Sequence, residues 1–172
     1  MNTKRKPVRK DGFYKIPLSQ GQIALVDLDD IHLVEGYNWT AMKRPAGNFY
    51  AVRYQRTVNG RKTIYMHRAI THAPERQAVD HINHDTLDNR RANLRLATYQ
   101  ENAANNRPKN KLKGVRQRRD KWEGFIQINN KYHHLGTFRT EEEAARRYDK
   151  AAKDAFGAFA RLNYPKENHE GL

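Results

Sequence analysis

Asp80 and His81 stand side by side, Asn93 follows His81 by 12 residues, and Asn102 follows it by 21. Histidine has an ordinary pKa of about 6.5, so it takes a proton near neutral pH. A carboxylate and a carboxamide oxygen are hard donors that suit a cation of the Mg²⁺ kind. These are the parts that phosphodiester hydrolysis needs: a base to activate water, and a divalent cation to hold the scissile phosphate and the leaving oxygen. Asp, His and Asn are also common turn formers and helix caps, so spacing alone leaves a structural reading open.

Such residues need a frame. VDHINH reads as a strand or extended segment, and LDNRRANLRLAT as a loop followed by a short strand at Leu94–Ala97. TYQENAANN reads as a helix that starts at Thr98, because Thr98 and Glu101 form a capping box. The order is strand, loop, strand, helix, and a helix N-terminus facing the site would favour an anionic phosphate. Neighbours on an ideal strand point to opposite faces. Asp80 and His81 therefore serve one phosphate only if the strand ends or bends there, and Ile82-Asn83-His84-Asp85 reads as the start of a loop. Upstream, residues 13–66 read as strand-rich, with a hairpin signal at Asn59-Gly60 and a short helix within Asp29–Tyr37 that turns Ile31, Val34 and Leu33 inward. His67–Thr71 reads as a helical turn. His67 and Arg68 are candidates for packing or phosphate contact, and Arg90, Arg91 and Arg95 are candidates to clamp the DNA backbone, with a solvated surface as the plainer reading.

VDHINHDTLDNRRANLRLATYQENAANN resembles the HNH endonuclease motif of phage and intron homing endonucleases, over about residues 65–106. The shared pieces are DHI, then NxxxNLR, then QEN. The resemblance implies a ββα-metal fold in which His81 is the general base, Asp80 and Asn102 bind the metal, and Asn93 ties the loop and orients the histidine. The third position here is Asn rather than His, a form some homing nucleases of the family have. This favours Mg²⁺ or Mn²⁺ over Zn²⁺ or Ni²⁺.

Beyond Pro108 the pattern changes. Three short strands are expected at Gly114–Arg118, Lys121–Ile128 and Lys131–Phe138, with Asn129-Asn130 as a tight turn. Thr140 and Glu143 form a second capping box, opening a helix that Gly157 would end. Ala144, Ala145, Tyr148, Ala151, Ala152 and Ala155 form its buried stripe. Strand alternation puts Arg116 and Arg118 on one face and Val115 and Gln117 on the other, while Gln127 lies on the next strand with Phe125 and Glu123 on its side. Arg reads guanine, Gln reads adenine, and a β-ribbon fits the major groove. A basic sheet that touches phosphates alone is the plainer reading.

The segment resembles the ethylene-response-factor or APETALA-type DNA-binding domain, through GVR-x-R, KW, LGTF, EEAARRYD and AxxNYP over residues 113–165. By that resemblance Arg116, Arg118 and Gln127 face DNA, Lys113 and Lys121 meet its backbone, and Trp122 lies on the DNA-binding sheet. Phe125 stands where plant members often have an acid.

The composition agrees with a polyanionic partner. The 172 residues carry 33 Lys+Arg against 19 Asp+Glu, a net charge of +14. Cys is absent, which excludes disulfides, thiolate zinc sites and cysteine nucleophiles. No run of about 18 apolar residues exists to span a membrane, and MNTKRKPVRK lacks the apolar core of a secretory signal. The expected fold class is α+β. A basic arm at 1–12 precedes an endonuclease domain at 13–106, whose ββα-metal motif lies at about 79–106. A basic linker at 107–112 leads to a DNA-binding domain at 113–165 and a tail at 166–172. The expected function is a site-directed, metal-dependent DNA endonuclease of the homing type. It would act as a monomer on double-stranded DNA and nick one strand per bound protein, in the cytoplasm of a bacterial host, encoded by a phage or mobile element. The rival readings are a DNA-binding regulator with a decayed nuclease fold and, more weakly, an RNA-binding protein.

Overall fold

Short apolar stretches separated by turn residues build small antiparallel sheets rather than one large one. The computed structural model describes residues 5–45, 47–106 and 112–165. The tail at 166–172, most of the linker at 107–112 and the first four residues of the arm lie outside them. The chain divides into two compact units, 1–97 and 98–172. Secondary structure is mixed α+β throughout.

In the first unit, β1 (Val8–Lys10), β2 (Phe13–Pro17) and β3 (Ile23–Asp27) form an antiparallel meander. The arm at 1–12 thus differs from expectation. Gly12, at φ +82, turns the chain at Asp11-Gly12, so that Val8–Lys10 pairs with Phe13–Lys15. Leu28–Asp30 forms a 3-10 turn and α1 (Ile31–Val34) follows, a shorter helix than Asp29–Tyr37 suggested. Val34 is buried, with Ile31 and Leu33 packed on the same core. A second sheet orders β4 (Thr40–Lys43), β5 (Phe49–Thr57) and β6 (Gly60–Tyr65). Its hairpin turn is one residue off the Asn59-Gly60 reading. Thr57 pairs with Gly60, so Val58 and Asn59 are the central residues, and Gly60 supplies the positive φ of +114.

The helix α2 (Met66–Thr71) leads to the hairpin of β7 (Ala78–His81) and β8 (Leu94–Ala97). One core joins all three sheets. Ile16, Val26, Trp39, Ala51, Met66, Ile70, Val79 and Leu94 are members, so the hairpin is anchored by Val79 and Leu94. The buried Trp39 indole donates to Val34 O at 2.9 Å, so its N–H is satisfied in that core.

In the second unit, Thr98 and Glu101 form the expected capping box, with bonds of 3.1 and 2.7 Å, and start α3 (Tyr99–Asn105). A three-stranded antiparallel sheet orders β9 (Val115–Arg118), β10 (Lys121–Ile128) and β11 (Lys131–Phe138), with Asn129 and Asn130 both at positive φ. The second capping box opens α4 (Glu141–Phe156). Its Ala144, Ala145, Tyr148 and Ala152 are buried, but Ala155 is exposed and Asp149 takes an inward place. Asp149 accepts bonds from the Asn163 and Tyr164 backbone N–H groups at 2.8 and 2.9 Å, which holds the segment after α4. Gly114 is sterically required: at φ +70, a Cβ there would lie 1.9 Å from the Tyr148 ring.

Candidate active site

Register places the pairs. On the β7–β8 hairpin Asp80 stands opposite Arg95 and His81 opposite Leu94. Arg95 Nη2 and Nε lie 2.7 and 2.8 Å from Asp80 Oδ2, so both contacts fall on one oxygen. His81 is the last residue of β7. Its ring turns to a different neighbourhood, with its centroid 5.2 Å from His67 and 6.1 Å from Tyr50. Tyr65 and Tyr50 lie 5.4 and 5.6 Å from His67. Asp80 and His81 are each 4% exposed.

The loop after His81 is built from its own polar side chains. Asn83 Oδ1 accepts from the Asp85 N–H and Asp85 Oδ1 from the Leu87 N–H, at 2.8 and 3.0 Å. These are Asx turns, which Asn and Asp form because a short side chain can mimic a backbone acceptor. Asn93 closes the loop: its Oδ1 accepts from the Asn83 N–H at 2.8 Å, and its Nδ2 donates to Asp88 O at 2.8 Å. The loop is also fastened to β3, where the Leu25 N–H donates to Leu87 O at 2.8 Å and the Asn89 N–H donates to Leu25 O at 2.9 Å.

Burial lowers the pKa of His81 from its ordinary 6.5, opposed by the Asn89 side chain and by the carboxylates of Asp80, Asp85 and Asp88. Burial also drives His67 down to about 3, helped by the nearby His81 and Arg68. His67 Nδ1 is buried with no hydrogen-bond partner among the described residues. Both imidazoles are therefore neutral at neutral pH, the state in which a histidine accepts a proton.

The arginines expected near phosphate are already engaged. Arg68 donates to the carbonyls of Gln77, Ala73 and Pro74 at 2.7, 3.0 and 2.6 Å, so its guanidinium holds the α2–β7 connection rather than facing a ligand. Arg90 pairs with Asp88 at 2.8 Å and Arg91 with Asp30 at 2.7 Å. Their partners, Asp88 and Asp30, are buried, and a buried carboxylate demands a cation beside it. Asp80, His81 and Asn93 share one hairpin and its loop, whereas Asn102 lies half-buried on α3 in the second unit. Among the described residues no group of three or more His, Cys, Asp or Glu side chains is placed to hold a metal. A carboxylate with a carboxamide is a different donor set, and it fits a hard divalent ion in chemistry. Asp80 is buried and its Oδ2 is held by Arg95, so a metal at this carboxylate would share it with a guanidinium.

The second unit presents a basic sheet. Arg116 and Arg118 are mostly exposed, and both pair with Glu123. Glu123, Phe125 and Gln127 alternate onto their face of β10. Lys121 stands opposite Arg118 on the adjoining strand. Trp122 stands opposite Gln117 and Phe138, and so shares the other face with Ile126 and Ile128, which pack on the α4 side. Lys113 is a correction. It does not reach outward to a DNA backbone: its Nζ donates to Ala103 O, Ala104 O and Asn106 O at 3.0, 2.5 and 2.6 Å. The reason is the C-terminus of α3, whose carbonyl ends carry partial negative charge and attract a cation. Burial, with Arg161 adding to it, holds Lys113 down to about 8. Sequence reasoning did not single out Asn89, fully buried beside His81, or the Tyr65 ring against His67. Their side-chain types carry no signal, because burial is a tertiary property.

β7 thus ends in a neutral histidine beside a buried carboxylate, at the mouth of the loop that leads to β8. The profile described as HNH endonuclease matches residues 72–104. A protein of Acanthamoeba polyphaga mimivirus, named as an uncharacterized HNH endonuclease, is 34% identical over 146 residues, covering 84% of this chain and 76% of that protein. The chain belongs to the HNH endonuclease family, and it is a nuclease; nucleases of this family generally use a divalent metal. Two Arabidopsis thaliana proteins match in part. Dehydration-responsive element-binding protein 2A is 48% identical over 60 residues, which is 33% of this chain and 18% of that protein. An ethylene-responsive transcription factor-like protein is 49% identical over 41 residues, which is 24% of this chain and 18% of its own length. Among the described residues no helix is long and apolar enough to cross a membrane.

Proposed function

We propose that the chain is a site-directed, divalent-metal-dependent DNA endonuclease of the homing type, carried by a phage or other mobile element, that nicks one strand per bound monomer. The observation that carries this reading is His81. It is held neutral by burial at the end of β7, beside Asp80 and at the mouth of a loop closed by Asn93. In this reading His81 takes the proton of the attacking water, and Asn93 keeps the loop in the shape that aims the imidazole. Asp80 and Asn102 supply carboxylate and carboxamide oxygens to Mg²⁺ or Mn²⁺, which would neutralise charge on the phosphate and the leaving oxygen. Arg90, Arg91 and Arg95 would offer N–H donors to the phosphate while their charge balances buried carboxylates. The basic sheet of the second unit reads the site through Arg116, Arg118 and Gln127, with Lys121 at the DNA backbone. The partial likeness to two plant proteins named as a response-element-binding protein and a transcription factor-like protein supports that part.

The test is cleavage of supercoiled plasmid carrying a selected site, with Mg²⁺, with Mn²⁺ or with chelator. Nicked product that needs the metal, falls about 10²–10⁴-fold in His81→Ala, and leaves DNA binding near wild type is expected. Asp80→Ala and Asn102→Ala should shift the metal titration of cleavage. Binding without cleavage under any metal would identify the chain as a DNA-binding regulator instead.

A further inference from the structure

Glu123 sits in the middle of the basic sheet with its carboxylate turned toward the two arginines proposed to read DNA. Strand register puts it opposite Arg116, with Arg118 two residues along β9. Arg116 Nε and Nη2 lie 2.8 and 2.7 Å from Oε2, and Arg118 Nη1 lies 3.0 Å from Oε1. The carboxylate thus divides its two oxygens between two guanidinium groups. The exposures are opposed: the arginine side chains are 64% and 72% exposed, and the Glu123 side chain 8%. An acid at the floor of the sheet does not reach a base edge, so any effect it has on DNA passes through the arginines.

The donor count allows both tasks at once. A guanidinium has five N–H donors. Arg116 spends two on Glu123 and Arg118 one. A guanine accepts two, at O6 and N7. The Phe125 ring is a second brace for Arg116, whose guanidinium carbon lies 5.7 Å from its centroid. The charge arithmetic matters too. Two arginines and one glutamate leave +1 on the surface, where two free arginines would present +2. Sequence-independent attraction to phosphate is lowered, while the directional donors remain.

We infer that Glu123 is the specificity-setting positioning residue of this surface: it locks Arg116 and Arg118 in base-reading poses and suppresses their use as general phosphate clamps. This rests on the reading of the sheet as a DNA-binding face. The lowered pKa of Glu123, owed first to Arg118 and then to Arg116, keeps it ionised at neutral pH and above.

The experiment uses the full chain and duplexes selected from a randomised pool, with a scrambled duplex as the competitor. Glu123→Gln and Glu123→Met, the second retaining an apolar side chain at the buried floor, are compared with wild type across a range of salt. The expected result is tighter binding to scrambled DNA, a salt slope steeper by about one unit, and a selected-to-scrambled affinity ratio at least tenfold lower. Glu123→Asp, which keeps the charge, should retain the wild-type slope and recover part of the ratio. An unchanged ratio in either uncharged variant overturns the inference. So does an equal loss on both duplexes, which would make Glu123 a support of the fold. Arg116→Ala and Arg118→Ala run alongside. If neither changes the selected site, the DNA-reading face itself is refuted, whatever Glu123 does.

Discussion

Replacing Asn93 by alanine removes two hydrogen bonds at once, and both belong to the loop that follows His81. The Asn83 N–H loses its acceptor and Asp88 O loses its donor, each across 2.8 Å. Asn93 is 7% exposed, so water replaces these partners poorly. At about 1–1.5 kcal/mol per bond, the loss is about 2–3 kcal/mol. For a unit of fewer than 100 residues, each kcal/mol moves the melting midpoint about 4–8 °C, so a fall of roughly 10–20 °C is expected. The local signature is sharper than the melting temperature. Amide exchange at Asn83 should accelerate strongly, while amides of β2 and β3 in the core sheet change less. Asn93→Asp keeps an oxygen for the Asn83 N–H but loses the donor to Asp88 O, so it should fall between the two. Cleavage should drop in step with loop opening. A normal melting temperature and a protected Asn83 amide, together with lost cleavage, would refute the tying role and put Asn93 in the chemistry itself.

Two further outcomes follow from the histidines. His81 must be neutral to accept a proton and burial lowers its pKa, so the acid limb of single-turnover cleavage should be centred below the ordinary 6.5. An acid limb centred at or above 6.5 would contradict the burial argument. His67 binds its proton at about 3 in the folded chain and at about 6.5 in the unfolded chain. The stability it permits is complete above pH 6.5 and is lost as pH falls toward 3, at about 1.4 kcal/mol per pH unit within that window. Denaturant midpoints at pH 7 and 5 should therefore differ more in wild type than in His67→Phe, and equal differences would show that His67 is not the group responsible.

Much of the molecule is local in origin, and that part is written in the sequence. Both capping boxes, at Thr98 and Thr140, need only a hydroxyl and a carboxylate three residues apart. The strands at Leu94–Ala97, Lys121–Ile128 and Lys131–Phe138 follow from alternation and the turn residues between them. Residue type and spacing single out the Asp80-His81 pair and Asn93 as candidates, and the resemblance to the family motif gives each its expected role. Tertiary structure decided what those side chains touch. Lys113 reads as one more cation of a basic stretch, yet the end of α3 turns it inward. Arg68 is open to packing or phosphate contact in the sequence, and three carbonyls take it up in the fold. Asp80 reads as a metal ligand, and register sets Arg95 opposite it. Tyr50 and Tyr65 gain their places around the histidines because strands distant in sequence meet there, and Glu123 gains its place because β9 pairs with β10. Hydrogen bonds within a turn or a cap join residues a few positions apart, so the sequence alone determines them. Burial joins residues as far apart as Ile16 and Leu94, and an ion pair joins Arg91 to Asp30 across 61 positions, and no local pattern encodes which of the many arginines each buried carboxylate will hold.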